Sequence, residues 1–199
     1  MKIVIVKYNA GNIESVNNAL NRFGIDAEIT SDHNKVKNAD KVIFPGVGEA
    51  STTMAYLREN KLDKLIVSLQ QPVLGICLGL QLMCAHSEEN NTDCLGIFDE
   101  KVKRFIPNPG EEYITKVPHM GWNAIKDLKS EIFSEEIENQ YVYFVHSFYA
   151  EKSAHTIATC DYIIPFSAAL HRDNFYATQF HPEKSGTIGA KILENFLKL

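Results

Sequence analysis

The 199-residue sequence has only four cysteines, and none stands in a C-x-x-C pair or at a metal-ligand spacing. Cys77, Cys84, Cys94 and Cys160 therefore read as free thiols of a reducing compartment, and neither a disulfide scaffold nor a metal centre is expected. Positive charge is short as well. The 20 Lys and Arg against 25 Asp and Glu leave a net charge of −5 and no basic stripe, so a nucleic-acid surface lacks electrostatic support. No apolar run approaches membrane-spanning length. Met1–Val6 reads as a strand, without the long apolar region and small-residue cleavage site of a secretion leader, so a cytoplasmic protein is expected. There is no G-x-x-x-x-G-K-[ST] phosphate loop and no His-rich cluster, and no cofactor is expected. Repeats, low-complexity tracts and domain-splitting linkers are also missing. With 45% hydrophobic residues, the chain suffices for one well-buried domain over residues 1–199.

What is present is an alternation of short apolar runs and helical patterns. Lys2–Lys7 reads as a buried strand, and Tyr8-Asn9-Ala10-Gly11-Asn12 as a turn with Asn12 as helix cap. Ile13, Val16, Leu20 and Phe23 follow at helical spacing up to Gly24. Strands are expected at Asp26–Thr30 and Val42–Phe44, a turn at Pro45-Gly46-Val47-Gly48, and helices from Glu49 to Asn60 and on to about Leu69. This alternation predicts an α/β fold with a doubly wound, mostly parallel sheet, whose ligands bind at the carboxyl ends of the strands. The second half reads differently. Short strands and turns are expected from Cys94 to Phe105 and from Tyr113 to Lys129, with a loop at Ile106–Gly110 between them. Partly antiparallel strands are expected at Tyr141–Val145, His155–Cys160, Ile163–Leu170 and Phe175–Phe180, and a last helix near Gly189–Leu197 with Ile188, Ile192 and Phe196 on one face.

The most informative stretch is Val73-Leu74-Gly75-Ile76-Cys77-Leu78-Gly79-Leu80-Gln81. An apolar strand stops at a cysteine between two glycines, and a helical pattern starts at once. That is the logic of a nucleophile elbow, with Cys in the place of Ser. A Cβ at Gly75 or Gly79 would crowd the turn. Cys77 then sits at a helix N-terminus that favours thiolate, with the Leu78 N–H positioned for a developing oxyanion. Taken alone, Cys77 also fits a buried structural thiol. A base elsewhere must decide, and His181-Pro182-Glu183 supplies it: an imidazole at a strand end with a carboxylate two residues on. His146 is the next candidate. The N–H of Val47 or Gly48 offers a second oxyanion donor, and Gln81, one turn past Cys77, a polar substrate contact. His146-Ser147-Phe148 offers backbone groups to a substrate, although a buried, satisfied His146 fits equally. Pro118-His119-Met120-Gly121-Trp122-Asn123 holds the only Trp and reads as an interface edge, since Met and Trp suit interface cores.

Gly75–Gln81 with His181-Pro182-Glu183 resembles the triad (class I) glutamine amidotransferases. Tyr8–Asn12, Pro45–Gly48 and Pro118–Asn123 narrow the resemblance to the glutaminase subunits of imidazole glycerol phosphate synthase, over essentially the whole chain. The resemblance implies a flavodoxin-like sheet and hydrolysis of glutamine to glutamate and ammonia. It also implies a separate (β/α)8-barrel cyclase partner that receives the ammonia through a tunnel and makes imidazole glycerol phosphate and an aminoimidazole carboxamide ribotide. By motif position, Cys77 is the nucleophile, His181 the base and acid, and Glu183 the orienting carboxylate. Val47 and Leu78 are the oxyanion donors, and Gly48, Gln81, His146, Ser147 and Phe148 line the glutamine site. Asn12, His119, Met120 and Trp122 lie toward the partner. Lys7, Asn9 and Phe148 depart from the Asp, Gly and Tyr common in that family. Two other readings are a paralogous glutaminase feeding ammonia to surface-sugar synthesis and, in a different class, a cysteine protease or thiol hydrolase.

Overall fold

Ile3–Val6 (β1) is four apolar residues in succession, all buried, as a strand covered on both faces of a parallel sheet must be. The computed structural model describes residues 1–9, 13–110 and 113–199. The predicted cap at Asn12 lies outside the described residues. After β1 come α1 (Ile13–Asn21), β2 (Glu28–Thr30), α2 (His33–Lys37), β3 (Lys41–Gly46), α3 (Ala50–Glu59), α4 (Leu62–Val67), β4 (Val73–Cys77) and α5 (Leu78–Met83). The second half holds β5 (His86–Ser87), β6 (Thr92–Asp93), β7 (Lys101–Arg104), β8 (His119–Ala124), β9 (Tyr141–His146), β10 (Phe148–Ala150), β11 (Thr156–Asp161), β12 (Pro165–Arg172), β13 (Phe175–Thr178) and α6 (Gly186–Lys198).

The main sheet runs β2-β1-β3-β4-β13-β12-β10-β7-β5-β6, with β11 on β12. Its first five strands are parallel and its later pairs mostly antiparallel, as the change of pattern along the sequence predicted. The chain's last strand, β13, therefore lies beside the central β4, with Thr178 opposite Ile76. That pairing brings Cys77 and His181, distant in the sequence, to one edge of the sheet. A separate ribbon, β8 with β9, pairs His119 with His146 and Met120 with Val145.

Two apolar clusters flank the sheet. One is built on α1 and α6 with Ile5, Ile43 and Ile76, the other on α3, α4 and α5 with Val4, Val42 and Val73. Alternate residues of the same strands feed opposite clusters, which is the period of two expected of a strand. Ile192 and Phe196 of α6 are buried as predicted, with Ile188 partly buried beside them. Two details differ from the sequence reading. Pro45 and Gly46 belong to β3 rather than to the turn, paired with Ile76 and Cys77. The five-residue α2 had no separate prediction; it is capped by Asp32, whose carboxylate accepts from the Lys35 N–H at 2.9 Å, and buries only Val36.

Candidate active site

Cys77 ends β4 with φ 54° and ψ −107°, a backbone conformation that costs an L-residue strain and is held by its surroundings. The surroundings are backbone packed on backbone. A Cβ on Gly79 would collide with the Phe44 carbonyl oxygen, and one on Gly46 would come within 2.5 Å of the Gly79 nitrogen. Because Gly46 pairs with Cys77 in parallel register, Val47 and Leu78 leave neighbouring strands side by side. The Tyr8 hydroxyl donates to the Pro45 carbonyl and pins the end of β3. Burial, and then the neighbouring Cys77, push that phenol well above its ordinary range, so it stays a donor.

His181 opens a short turn, Pro182–Lys184, just past β13. Its N–H donates to the Tyr143 carbonyl at 2.9 Å, and its carbonyl accepts from Ser185 Oγ at 2.6 Å. Its ring nitrogen Nδ1 lies 2.8 Å from Glu183 Oε1, with both side chains sealed from solvent. A carboxylate accepts, so Nδ1 carries hydrogen and Nε2 is left to act. Nε2 is buried and meets no hydrogen-bond partner among the described residues. Burial alone would lower the ring's proton affinity. Cys77 and Glu183 together outweigh it and raise the imidazole above its ordinary range.

A cavity of about 370 Å3 opens at this edge, lined by Val47, Gly48, Cys77, Leu78, Gln81, Ser147, Phe148, His181 and neighbours. Of the expected catalytic, oxyanion and substrate residues, all but Glu183 line it, and Glu183 stands behind His181. A larger cavity of about 1030 Å3, between Arg104, Ile106, Tyr113 and Met120, holds neither a cysteine nor a histidine.

His146 borders the catalytic cavity, but its ring is a satisfied core histidine. Its Nδ1 is 2.7 Å from the Phe148 carbonyl, and its Nε2 is 3.2 Å from His119 Nδ1. Both ring nitrogens of His146 are thus engaged away from Cys77. The expectation that His119 faces a partner is corrected: its side chain is 3% exposed and stacked between Tyr162 and Phe144. On the alternating β8 strand, Met120 (64% exposed) and Trp122 (55%) point the other way. Asn12 lies outside the described residues. Burial pushes His119 down to about 4 and His146 to about 3, so both rings are neutral near pH 7.

Sequence reasoning missed three residues at the site. Tyr8 read only as part of a turn. Glu89 lines the cavity from a short turn beyond α5, and one of its carboxylate oxygens accepts from the Ala50 N–H at 2.7 Å. Gln179 is fully buried, with Nε2 3.7 Å from Cys77 Sγ.

Residues 4–199 match the family model for class-I glutamine amidotransferases. The chain belongs to that family. It is 63% identical, over the full length of both chains, to the imidazole glycerol phosphate synthase subunit HisH of Bacteroides fragilis strain YCH46. It is 44% identical to the HisH of Escherichia coli K12, again covering all of both chains. A solved glutamine amidotransferase structure superposes with TM-score 0.74 over 98% of this chain and 97% of the other, at 17% identity, which speaks to the fold alone. Within its family the chain therefore groups with the HisH glutaminase subunits, and it is a glutamine amidotransferase. Among the described residues no helix is long and apolar enough to cross a membrane.

Proposed function

We propose that this chain forms a single glutaminase domain over residues 1–199 that acts in the cytoplasm as a subunit of imidazole glycerol phosphate synthase. The observation that carries the site assignment is the meeting of Cys77, on a strained elbow, with the buried His181–Glu183 pair at one cavity. In this reading the Cys77 thiolate attacks the side-chain amide carbon of glutamine. A C–S bond forms and the carbonyl electron pair moves to oxygen, where the N–H groups of Val47 and Leu78 receive the charge. His181 passes its Nε2 proton to the departing nitrogen. The C–N bond breaks, ammonia leaves, and a thioester remains. Water then gives a proton to His181 and attacks the thioester; the C–S bond breaks, glutamate leaves and the thiolate–imidazolium pair is restored. Glu183 keeps the Nδ1 hydrogen in place and stabilises the imidazolium.

The rest of the cavity suits an amino acid. Glu89 supplies a carboxylate for the α-ammonium group, while the lining residues include no Lys or Arg. The α-carboxylate is then left to backbone N–H groups along Gly48 and Ser147–Phe148. Gln81 borders the same space, its Nε2 donating to the Phe148 carbonyl at 3.0 Å. The ammonia passes to a separate (β/α)8-barrel cyclase. We place that partner against Met120 and Trp122. Met120 stands directly across the ribbon from Val145, whose carbonyl accepts from the Cys77 thiol at 3.9 Å.

Cys77→Ala tests the assignment. Glutamine-dependent turnover is expected to vanish, while the complex with the cyclase still uses added ammonium salts. Glutamine hydrolysis near the wild-type rate in this variant refutes Cys77 as nucleophile.

A further inference from the structure

Gln179 is a polar side chain with no exposed surface, two residues before the base. Its orientation is fixed by a chain of hydrogen bonds with one unambiguous end. The Phe148 carbonyl can only accept, so the group of Gln81 that faces it at 3.0 Å is the amide nitrogen. The same nitrogen lies 3.0 Å from the Gln179 side chain, which must therefore present its oxygen. The Gln179 NH2 is then the end that faces Cys77 Sγ at 3.7 Å. The sulfur thus lies between two groups of opposite preference. The Val145 carbonyl, at 3.9 Å, can only accept and favours the thiol. The Gln179 NH2 can only donate and favours the thiolate.

We propose that Gln179 is a positioning residue for glutamine hydrolysis, holding the Cys77 sulfur as a hydrogen-bond acceptor and so raising the fraction present as thiolate. The proposal rests on Cys77 being the nucleophile. It gives a buried amide a task that core packing does not require, since an unpaired polar group in the core costs free energy and an apolar side chain of like size costs none. It also ties the nucleophile to the cavity wall, because the amide that orients Gln179 is itself anchored on Phe148.

The test compares wild type with Gln179→Met, which removes the donor at similar volume, and Gln179→Glu, which keeps an acceptor for Gln81 but places oxygen against the sulfur. Alkylation of Cys77 by iodoacetamide is followed across acid to alkaline pH by mass spectrometry of the Cys77 peptide, beside steady-state glutaminase kinetics in the complex with the cyclase. Losing one hydrogen bond to a charged sulfur is expected to slow alkylation near neutral pH about tenfold in the Met variant, and further in the Glu variant. The midpoint of the profile should move up, and kcat should fall with little change in KM. A folded Met or Glu variant that keeps the wild-type alkylation profile overturns the proposal. Should the Met variant not fold, the Glu variant, which preserves the bond to Gln81, decides alone. A wild-type Cys77 that reacts no faster than the half-buried Cys94 overturns the nucleophile assignment and this proposal with it.

Discussion

The hydrogen-bonded pair His119 and His146 makes the fold sensitive to mild acid. The rings sit 3.2 Å apart, nitrogen to nitrogen, and their tautomers are fixed in series. His146 Nδ1–H donates to the Phe148 carbonyl, so its Nε2 accepts from His119 Nδ1–H. His119 Nε2 then accepts from Asn123 Nδ2 at 3.5 Å. Both rings are neutral in this chain, and burial holds them at about 4 and about 3 against an ordinary value near 6.5. Below that ordinary value the unfolded chain takes up two protons that the folded chain refuses, so stability rises with pH through this range. The contribution is complete above about pH 6.5 and is lost as pH falls toward the folded values. At about pH 5 the loss is about 2 kcal/mol per ring, or about 4 kcal/mol for the pair, a large share of an ordinary domain's stability. His181 does not mask this. Its raised value makes its contribution present below the ordinary imidazole range and lost as pH rises, which is the alkaline side. Glu49, lowered to about 2 by bonds from Ser51 and Asn90, acts the other way and at lower pH, where its contribution is lost as it protonates. Urea unfolding at about pH 7 and about pH 5 measures the difference. A double His119→Gln, His146→Gln variant should be less stable at neutral pH and nearly flat across the same interval. Wild-type stability equal at both pH values would refute the reasoning.

Glu183→Gln leaves a neutral amide against His181 Nδ1 and removes the charge that stabilises the imidazolium; glutaminase kcat is expected to fall by about 10² to 10⁴, and a fall under about threefold would point to another orienting group. Glu89→Gln removes the one carboxylate on the cavity wall, so KM for glutamine should rise about tenfold or more with little change in alkylation of Cys77; an unchanged KM places the ammonium group elsewhere. Titrating a barrel cyclase with its nucleotide ligand into the purified subunit should raise glutamate release, and Trp122→Ala should cost over about 1 kcal/mol of association while leaving the unfolding midpoint near wild type. An isolated subunit already at full rate and indifferent to the cyclase would refute the partner assignment.

The Cys77 turn and the His181–Glu183 pair were legible because their geometry imposes local spacing. Glycines two residues either side of Cys77 are demanded by close contact with the Met83 sulfur at Gly75 and the Phe44 carbonyl at Gly79, and that demand is visible in any single sequence. His181 and Glu183 are two residues apart because the carboxylate must reach Nδ1 over a short turn. The strands of the parallel half were legible for a similar reason, as uninterrupted apolar runs. His119 was misplaced through neglect of the strand's period of two. Grouping it with Met120 and Trp122 treated the segment as one surface, whereas alternation sends His119 inward and the other two out.

What stayed hidden depends on contacts between residues far apart in the chain. Tyr8 earns its place through a carbonyl 37 residues away, Glu89 through the Ala50 N–H 39 residues away, and Gln179 through a sulfur 102 residues away. Each fits its local pattern as a turn tyrosine, a surface acid or a strand residue, so periodicity assigns it no special role. The signal that remained was a mismatch of burial and polarity. Gln179 lies just past β13, in a mostly apolar run that reads as strand, where a buried amide has no reason to be unless something there must be bonded. The same logic reads the His119–His146 pair. Two imidazoles kept neutral in the core cost the fold stability in acid, yet they hold the Phe148 carbonyl that in turn orients Gln81 and Gln179. The ribbon that presents Met120 and Trp122 to solvent is thus the ribbon whose inner face anchors the hydrogen bonds around Cys77. A partner that shifts this ribbon has a direct mechanical route to Cys77 through Val145.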